Sequence, residues 1–229
     1  MNNLNVKKDE YIAKIIHDIE SPIIAQITAL ESFLSSVNNK VLPDEKDLIE
    51  LTLNSCKYLY KLIEVFNSVY KLNFESLRLN YEKFNVVELI KTLINEMDIL
   101  LKYNELKLSL ICEDEIVINA DKIQIKRVIE NLLSNSINYA FKNSKIEISL
   151  SEIANKIVFK VKNHSPYIQD EVLKEIFNKY KVQALYNKNG IGLGLYLSKE
   201  IINTHGGIMI ARSYPEDISV FGFELPLGR

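Results

Sequence analysis

The sequence predicts an α+β protein: an N-terminal helical hairpin, then a two-layer domain in which strands interleave with helices. Two observations predict it. Residues 12–37 and 48–72 repeat apolar side chains at spacings of three and four, whereas from about Phe74 onward short alternating segments trade places with amphipathic ones. The division expected is therefore 1–74 and 75–229. Composition sets the outer bounds. Of 229 residues, 47% are hydrophobic, enough for a real core, and 28 Lys+Arg against 30 Asp+Glu give a charge of −2. That balance speaks against a nucleic-acid partner, which would call for a basic excess. No apolar run approaches the roughly 20 residues of a bilayer span, and MNNLNVKKDE is no signal peptide. Cys56 and Cys112 lie in apolar patterns without ligand spacing and read as reduced thiols of a cytoplasmic protein.

The elements follow in order. Ile12, Ile16, Ile19, Ile23, Ile27, Leu30, Leu34 and Val37 form one narrow seam; Leu48, Leu51, Ser55, Leu59, Leu62, Phe66, Val69 and Leu72 form another. Residues 38–44 carry the turn, and Asp44 can cap the second helix. Two helices alone bury little, so this antiparallel hairpin is expected to dimerise into a four-helix bundle. Leu77–Tyr81 alternates like a strand, and Asn85 caps a helix to about Tyr103. Leu106–Ile111 and Glu115–Ile118 read as strands, and Asp121 opens a helix ending near Phe141. Lys145–Leu150 and Lys156–Val161 pair about a turn at Asn155. Gln169–Tyr180 and Ile191–Thr204 are helical around a polar loop, and Ile208–Arg212 and Val220–Leu225 close the chain as strands.

Three segments can carry chemistry. Asn189-Gly190-Ile191-Gly192-Leu193-Gly194-Leu195 sits at a loop-to-helix junction, where glycines let backbone N–H groups approach phosphate; alternatively it is a plain flexible turn. Asn131, Asn135 and Asn138, followed by Tyr139, share one helical face at i, i+4 and i+7. An amide oxygen can coordinate Mg²⁺ while amide nitrogens donate to phosphate, although a solvated polar face would look the same. His17-Asp18-Ile19-Glu20-Ser21-Pro22 places a histidine off the apolar seam, beside a carboxylate. Pro22 costs about 3 kcal/mol inside a helix and kinks it one turn beyond His17, with Ser21 on the same exposed face. This is either a nucleophile with an adjacent base or a solvated histidine. His205, before Gly206-Gly207, reads as a cation at a helix C-terminus.

Taken together and in this order, the three segments resemble the sensor histidine kinases of two-component signalling, over about Asp9 to Leu227. The resemblance implies a dimerising phosphoacceptor hairpin, then a two-layer α/β sandwich of the Bergerat ATPase type, with ATP and Mg²⁺ as cofactors. His17 matches the phosphoacceptor, Asp18 its acidic neighbour acting as base, and Ser21 the position that orients water for dephosphorylating the partner. Asn131 matches the magnesium ligand. Asn135, Asn138, Tyr139, Asn163, Ile168, Tyr180, Lys181, Gly190, Gly192, Leu193, Gly194 and Leu195 fall in the nucleotide-binding set. The homodimer would phosphorylate His17 from ATP and pass the phosphoryl group to an aspartate on a response regulator receiver domain.

The sequence departs from the family's pattern where an Asp-x-Gly-x-Gly box becomes Asn163-His164-Ser165-Pro166-Tyr167. Asn163 keeps an amide oxygen for the adenine amino group but loses the charge, forfeiting roughly 1 kcal/mol, and the loop without glycines is stiffer. Asn138 stands where a phosphate-contacting lysine is usual, Val182 where an arginine is usual, and Glu20 where a basic residue is usual. Weaker ATP binding than the family norm is expected. The alternative is an ATP-independent phosphotransfer or scaffold protein, its hairpin phosphorylated by a partner and its second domain a docking surface.

Overall fold

The computed structural model describes residues 19–20, 23–34, 46–57, 59–60, 63, 79–178 and 194–227. The chain divides into two compact units, Met1–Ser76 and Leu77–Arg229.

In the first unit, residues 23–34 (α1) and 46–57 (α2) are helical. On α1 the expected seam is the less exposed face, with Ile23 buried and Ile27, Leu30 and Leu34 half-buried, while Ile19 before it is exposed. On α2 the seam is different from that expected. Leu53 and Cys56 are buried and Ile49, Tyr60 and Ile63 half-buried, whereas Leu48, Leu51, Ser55 and Leu59 are exposed. The segment carries two apolar stripes, and the one that includes Cys56 faces α1. The Cys56 thiol donates to Gln26 Oε1 at 3.6 Å, and Lys57 pairs with Glu31 at 2.6 Å. The turn at 38–44 lies outside the described residues.

The second unit is a mixed sheet with helices on one face. Its elements are β1 (Glu82–Asn85), α3 (Val86–Glu96), α4 (Asp98–Tyr103), β2 (Lys107–Ile111), β3 (Val117–Ala120), α5 (Lys122–Tyr139), β4 (Lys145–Ile153), β5 (Lys156–His164), α6 (Asp170–Glu175), α7 (Gly194–Thr204), β6 (Ile208–Tyr214) and β7 (Ile218–Pro226). The large sheet has strand order β2-β4-β5-β7-β6; β2 and β4 run parallel and the other neighbours antiparallel. A separate ribbon pairs β1 with β3.

Local chemistry sets these boundaries. Asn85 accepts from the Val87 N–H and starts α3, and Asp121 accepts from the Gln124 N–H and starts α5, as expected. Ala154 and Asn155, with φ of 50° and 63°, form the two-residue turn between β4 and β5. Alternation on β4 and β5 sends Ile146, Ile148, Leu150, Ile157, Phe159 and Val161 inward. They meet Phe223 and Leu225 of β7 and the buried faces of α3, α5 and α7, and Phe159 stacks on Phe223 at 5.3 Å between ring centroids.

Three expectations are corrected. The first strand among the described residues begins at Glu82. Of the strand expected over Leu77–Tyr81, residues 79–81 run without a ladder, with the Asn80 N–H going to Asp121 Oδ2 at 2.9 Å, and residues 77–78 lie outside the described residues. The helix expected to reach Tyr103 breaks at Met97, whose N–H is shared between the Leu93 and Ile94 carbonyls before α4 begins. Among the described residues of the helix expected over Gln169–Tyr180, Asp170–Glu175 are helical and 176–177 form a turn. Among the described residues, no helix is long and apolar enough to cross a membrane.

Candidate nucleotide site

α5 is amphipathic in a way that frees one polar edge. Ile125, Val128, Ile129, Leu132, Leu133 and Ile137 are buried, which leaves Asn131 and Asn135 half-buried and Asn138 exposed at the margin. α7 packs alongside, burying Leu195, Ser198, Ile201 and Ile202. This brings together two segments that lie about sixty residues apart in sequence. Asn131 Nδ2 donates to Ser198 Oγ at 2.9 Å, which fixes the amide and leaves Oδ1 beside Gly194. A Cβ on Gly194 would lie 2.3 Å from that oxygen, so the space the amide oxygen occupies exists because residue 194 has no side chain.

That geometry suits Mg²⁺. Mg²⁺ prefers hard oxygen ligands and keeps several waters and phosphate oxygens, so a single oriented amide oxygen is a sufficient anchor. Asn131 would hold the ion, and the ion would neutralise phosphate charge. The Asn135 amide makes no hydrogen bond among the described residues. Tyr139, at the end of α5, is half-buried, and Leu195 joins the core.

A second polar group lies at one end of the sheet's inner face. Asn163 of β5 is only 2% exposed and faces Ser219 of β7 in register, and Ser219 faces Ser213 of β6. Ser165 Oγ donates to Ser219 Oγ at 2.9 Å, and Ser213 Oγ lies 3.3 Å from Ser219 Oγ and accepts from the Ile168 N–H at 3.0 Å. The Asn163 amide finds no partner among the described residues, and neither of its polar atoms is wholly sealed. Buried amides without partners are rare because each costs about 1–3 kcal/mol. Ile168, 9% exposed, stands beside this row through its bond to Ser213.

His205 is corrected. It is buried, its Nδ1 donates to the Ile201 carbonyl at 2.8 Å, and its Nε2 accepts from the Asp121 N–H at 3.1 Å. One ring nitrogen must accept, so the ring is neutral, and it is not the helix-end cation expected from sequence. Burial pushes its pKa below the ordinary 6.5, against weaker opposing pulls from the Ile201 carbonyl and the Asp121 charge. Gly206, at φ 77°, takes the left-handed position that ends α7.

His17, Asp18, Ser21, Tyr180, Lys181, Gly190, Gly192 and Leu193 lie outside the described residues. Sequence reasoning missed Ser198, Ser213 and Ser219. The available signal was a serine at an inward position of an otherwise apolar helix or strand.

Residues 120–229 match the family of histidine kinase-, DNA gyrase B-, and HSP90-like ATPases. The second unit is thus an ATPase domain of Bergerat type. The sensor histidine kinase YvrG of Bacillus subtilis is 26% identical over 92% of this chain and 37% of its own length. The adaptive-response sensory kinase SasA of Crocosphaera subtropica is 30% identical over 97% of this chain and 60% of its own. The solved catalytic domain of histidine kinase ThkA is 29% identical with a TM-score of 0.59, covering 65% of this chain and 97% of that domain. Over these alignments the chain is similar to sensor histidine kinases, and it spans about a third to three-fifths of the length of these two curated relatives.

Proposed function

We propose that the chain is the core of an ATP-dependent protein histidine kinase working as a homodimer. The observation that carries this reading is the meeting of Asn131 with Gly194, which joins an oriented amide oxygen to the glycine segment at the start of α7. The α7 N-terminus beside it offers N–H groups and the positive end of the helix dipole to phosphate oxygens. Asn135, Asn138, Tyr139, Gly190, Gly192, Leu193 and Lys181 complete the phosphate side, and Asn163, Ile168, Tyr180 and Leu195 the base side. His17 attacks the γ-phosphorus through one imidazole nitrogen as the bond to ADP breaks. Asp18 holds the proton on the other nitrogen and stabilises the cation that forms. The phosphoryl group then passes to an aspartate of a response regulator, and Ser21 orients water for hydrolysis of that aspartyl phosphate to aspartate and inorganic phosphate. A crystal structure of ThkA holds that kinase in complex with response regulator protein TrrA, which supports a partner of this kind. The exposed apolar side chains Leu48 and Leu51 of α2 and Leu59 beyond it, with Ile24 and Phe33 of α1, support the dimer.

The second reading, a phosphotransfer or scaffold protein without ATP chemistry, draws on the altered Asn163–Tyr167 segment alone. Incubation with γ-labelled ATP and Mg²⁺ separates the two. Acid-labile label on the parent that is lost in His17→Ala and in Asn131→Ala is the expected result. An unlabelled parent that accepts phosphate from another phosphoprotein would replace the first reading with the second.

A further inference from the structure

We infer that the base-binding end of this site reads purines without a fixed polarity, so that the chain binds guanine nucleotides about as well as adenine nucleotides. The inference rests on the nucleotide reading above and concerns one residue in it, Asn163. Among the described residues, the buried polar side chains at this end are Asn163, Ser165 and Ser219, with half-buried Ser213 completing the row. None carries charge. The hydroxyls of Ser165, Ser219 and Ser213 bond one another in a chain. A hydroxyl both donates and accepts and turns freely to do either. The Asn163 amide also offers one acceptor and one donor group, and a half-turn about its last side-chain torsion exchanges them with almost no change of shape. No described side chain holds that amide in one orientation.

The two purines present opposite patterns on the edge that distinguishes them. Adenine shows an amino donor beside a ring-nitrogen acceptor. Guanine shows a carbonyl acceptor beside a ring N–H donor. A carboxylate at position 163 would only accept, so in a common pose it would pair with the adenine amino group and oppose the guanine carbonyl. The amide pairs with either by turning over. Leaving a buried polar group unpaired or opposed costs on the order of tenfold to a hundredfold in affinity, so its absence here removes the main term that separates the two bases.

Titration calorimetry of the full chain with Mg²⁺-ADP and Mg²⁺-GDP tests this, with thermal unfolding to show that each variant is folded. The parent is expected to bind the two within about fivefold, and Asn163→Asp to favour ADP by at least tenfold more than the parent does. A parent that binds ADP but prefers it over GDP by fiftyfold or more overturns the inference and leaves the kinase reading standing. Equal binding of both nucleotides by parent and Asn163→Asp removes Asn163 as the reader and overturns it too. A parent that binds neither overturns the nucleotide reading itself, and this inference with it.

Discussion

Replacing Gly194 with alanine tests the centre of the site with one methyl group. The new Cβ would stand 2.3 Å from Asn131 Oδ1, 3.0 Å from its Cγ and 3.3 Å from its Nδ2, where ordinary contact begins near 3.4 Å. The amide must give way by about 1 Å, because the methyl is fixed to the backbone and the amide is the movable partner. Rotating it breaks the 2.9 Å bond to Ser198, costing about 0.5–1.5 kcal/mol. Alanine in place of glycine returns up to about 1 kcal/mol of helix propensity. Stability should therefore change by no more than about 1 kcal/mol. Nucleotide binding should suffer far more, since the displaced oxygen is the proposed Mg²⁺ anchor, and an interaction with a charged group is worth about 1.5–3 kcal/mol, or roughly ten- to a hundredfold. Calorimetric titration with Mg²⁺-ATP reads the affinity, and thermal unfolding reads the stability. Gly194→Ala combined with Asn131→Ala should bind no worse than Asn131→Ala alone, because both act through one group. Parent-like affinity in Gly194→Ala, with Asn131→Ala impaired, would refute the idea that this glycine makes room for the amide.

Three further outcomes follow from buried and exposed groups elsewhere. Because burial depresses the His205 pKa, the unfolded chain takes up the proton first as pH falls below about 6.5. The stability it contributes is thus full above that pH and is lost as pH drops toward the folded value. Urea unfolding of His205→Gln should lose that part of the slope, and an unchanged slope would show that the ring does not control it. Ser136 Oγ on α5 is buried without a partner, so Ser136→Ala should raise unfolding stability by about 1 kcal/mol through lost desolvation cost and better helix propensity; destabilisation would point to an unseen bond. Leu51→Glu, at a 64%-exposed position of α2, should convert the proposed dimer to a monomer in light scattering without unfolding the chain, and a persisting dimer would move the interface elsewhere.

What was legible in the sequence was whatever acts locally. Asn85 and Asp121 announce helix starts because a cap bonds an N–H two or three residues away. The β4–β5 turn was legible at Asn155 because the residue must accept a left-handed backbone. The break at Met97 was not, since neither proline nor glycine marks it. The face of α2 was misread because two apolar stripes share one helix, and only contact with α1 through Cys56 and Lys57 decides which turns inward. The site divides the same way. Asn131 and Gly194 stand out as motif residues, but Ser198, which orients the amide, is an ordinary serine until α7 lies against α5. His205 was read as a cation because its burial beneath Asp121 and Tyr81 is purely tertiary, the Tyr81 ring lying 5.5 Å from its own.

The segment that departs most from the family bears on whether the domain is degenerate, and its bonding argues against that. Pro166 has no N–H to satisfy. The Ser165 N–H goes to the Asp217 carbonyl at 2.9 Å, the Tyr167 N–H to Asp217 Oδ1 at 3.2 Å, and the Ile168 N–H to Ser213 Oγ at 3.0 Å. The His164 carbonyl accepts from the Phe141 N–H at 2.8 Å, just beyond the end of α5. Every one of these partners belongs to the β6–β7 corner or the α5 end. Where the resemblance leads one to expect glycines, this chain holds its backbone through two backbone and two side-chain bonds, so less ordering remains to oppose ligand binding. Asp217 takes a left-handed backbone, at φ 58°, as the last residue of the turn between β6 and β7, and from there its carbonyl and carboxylate both serve the Asn163–Tyr167 segment. If Asn163 reads the base as proposed, its lost charge would weaken the grip while the fixed loop recovers part of that loss, so the two together would change which base is held more than whether one is held.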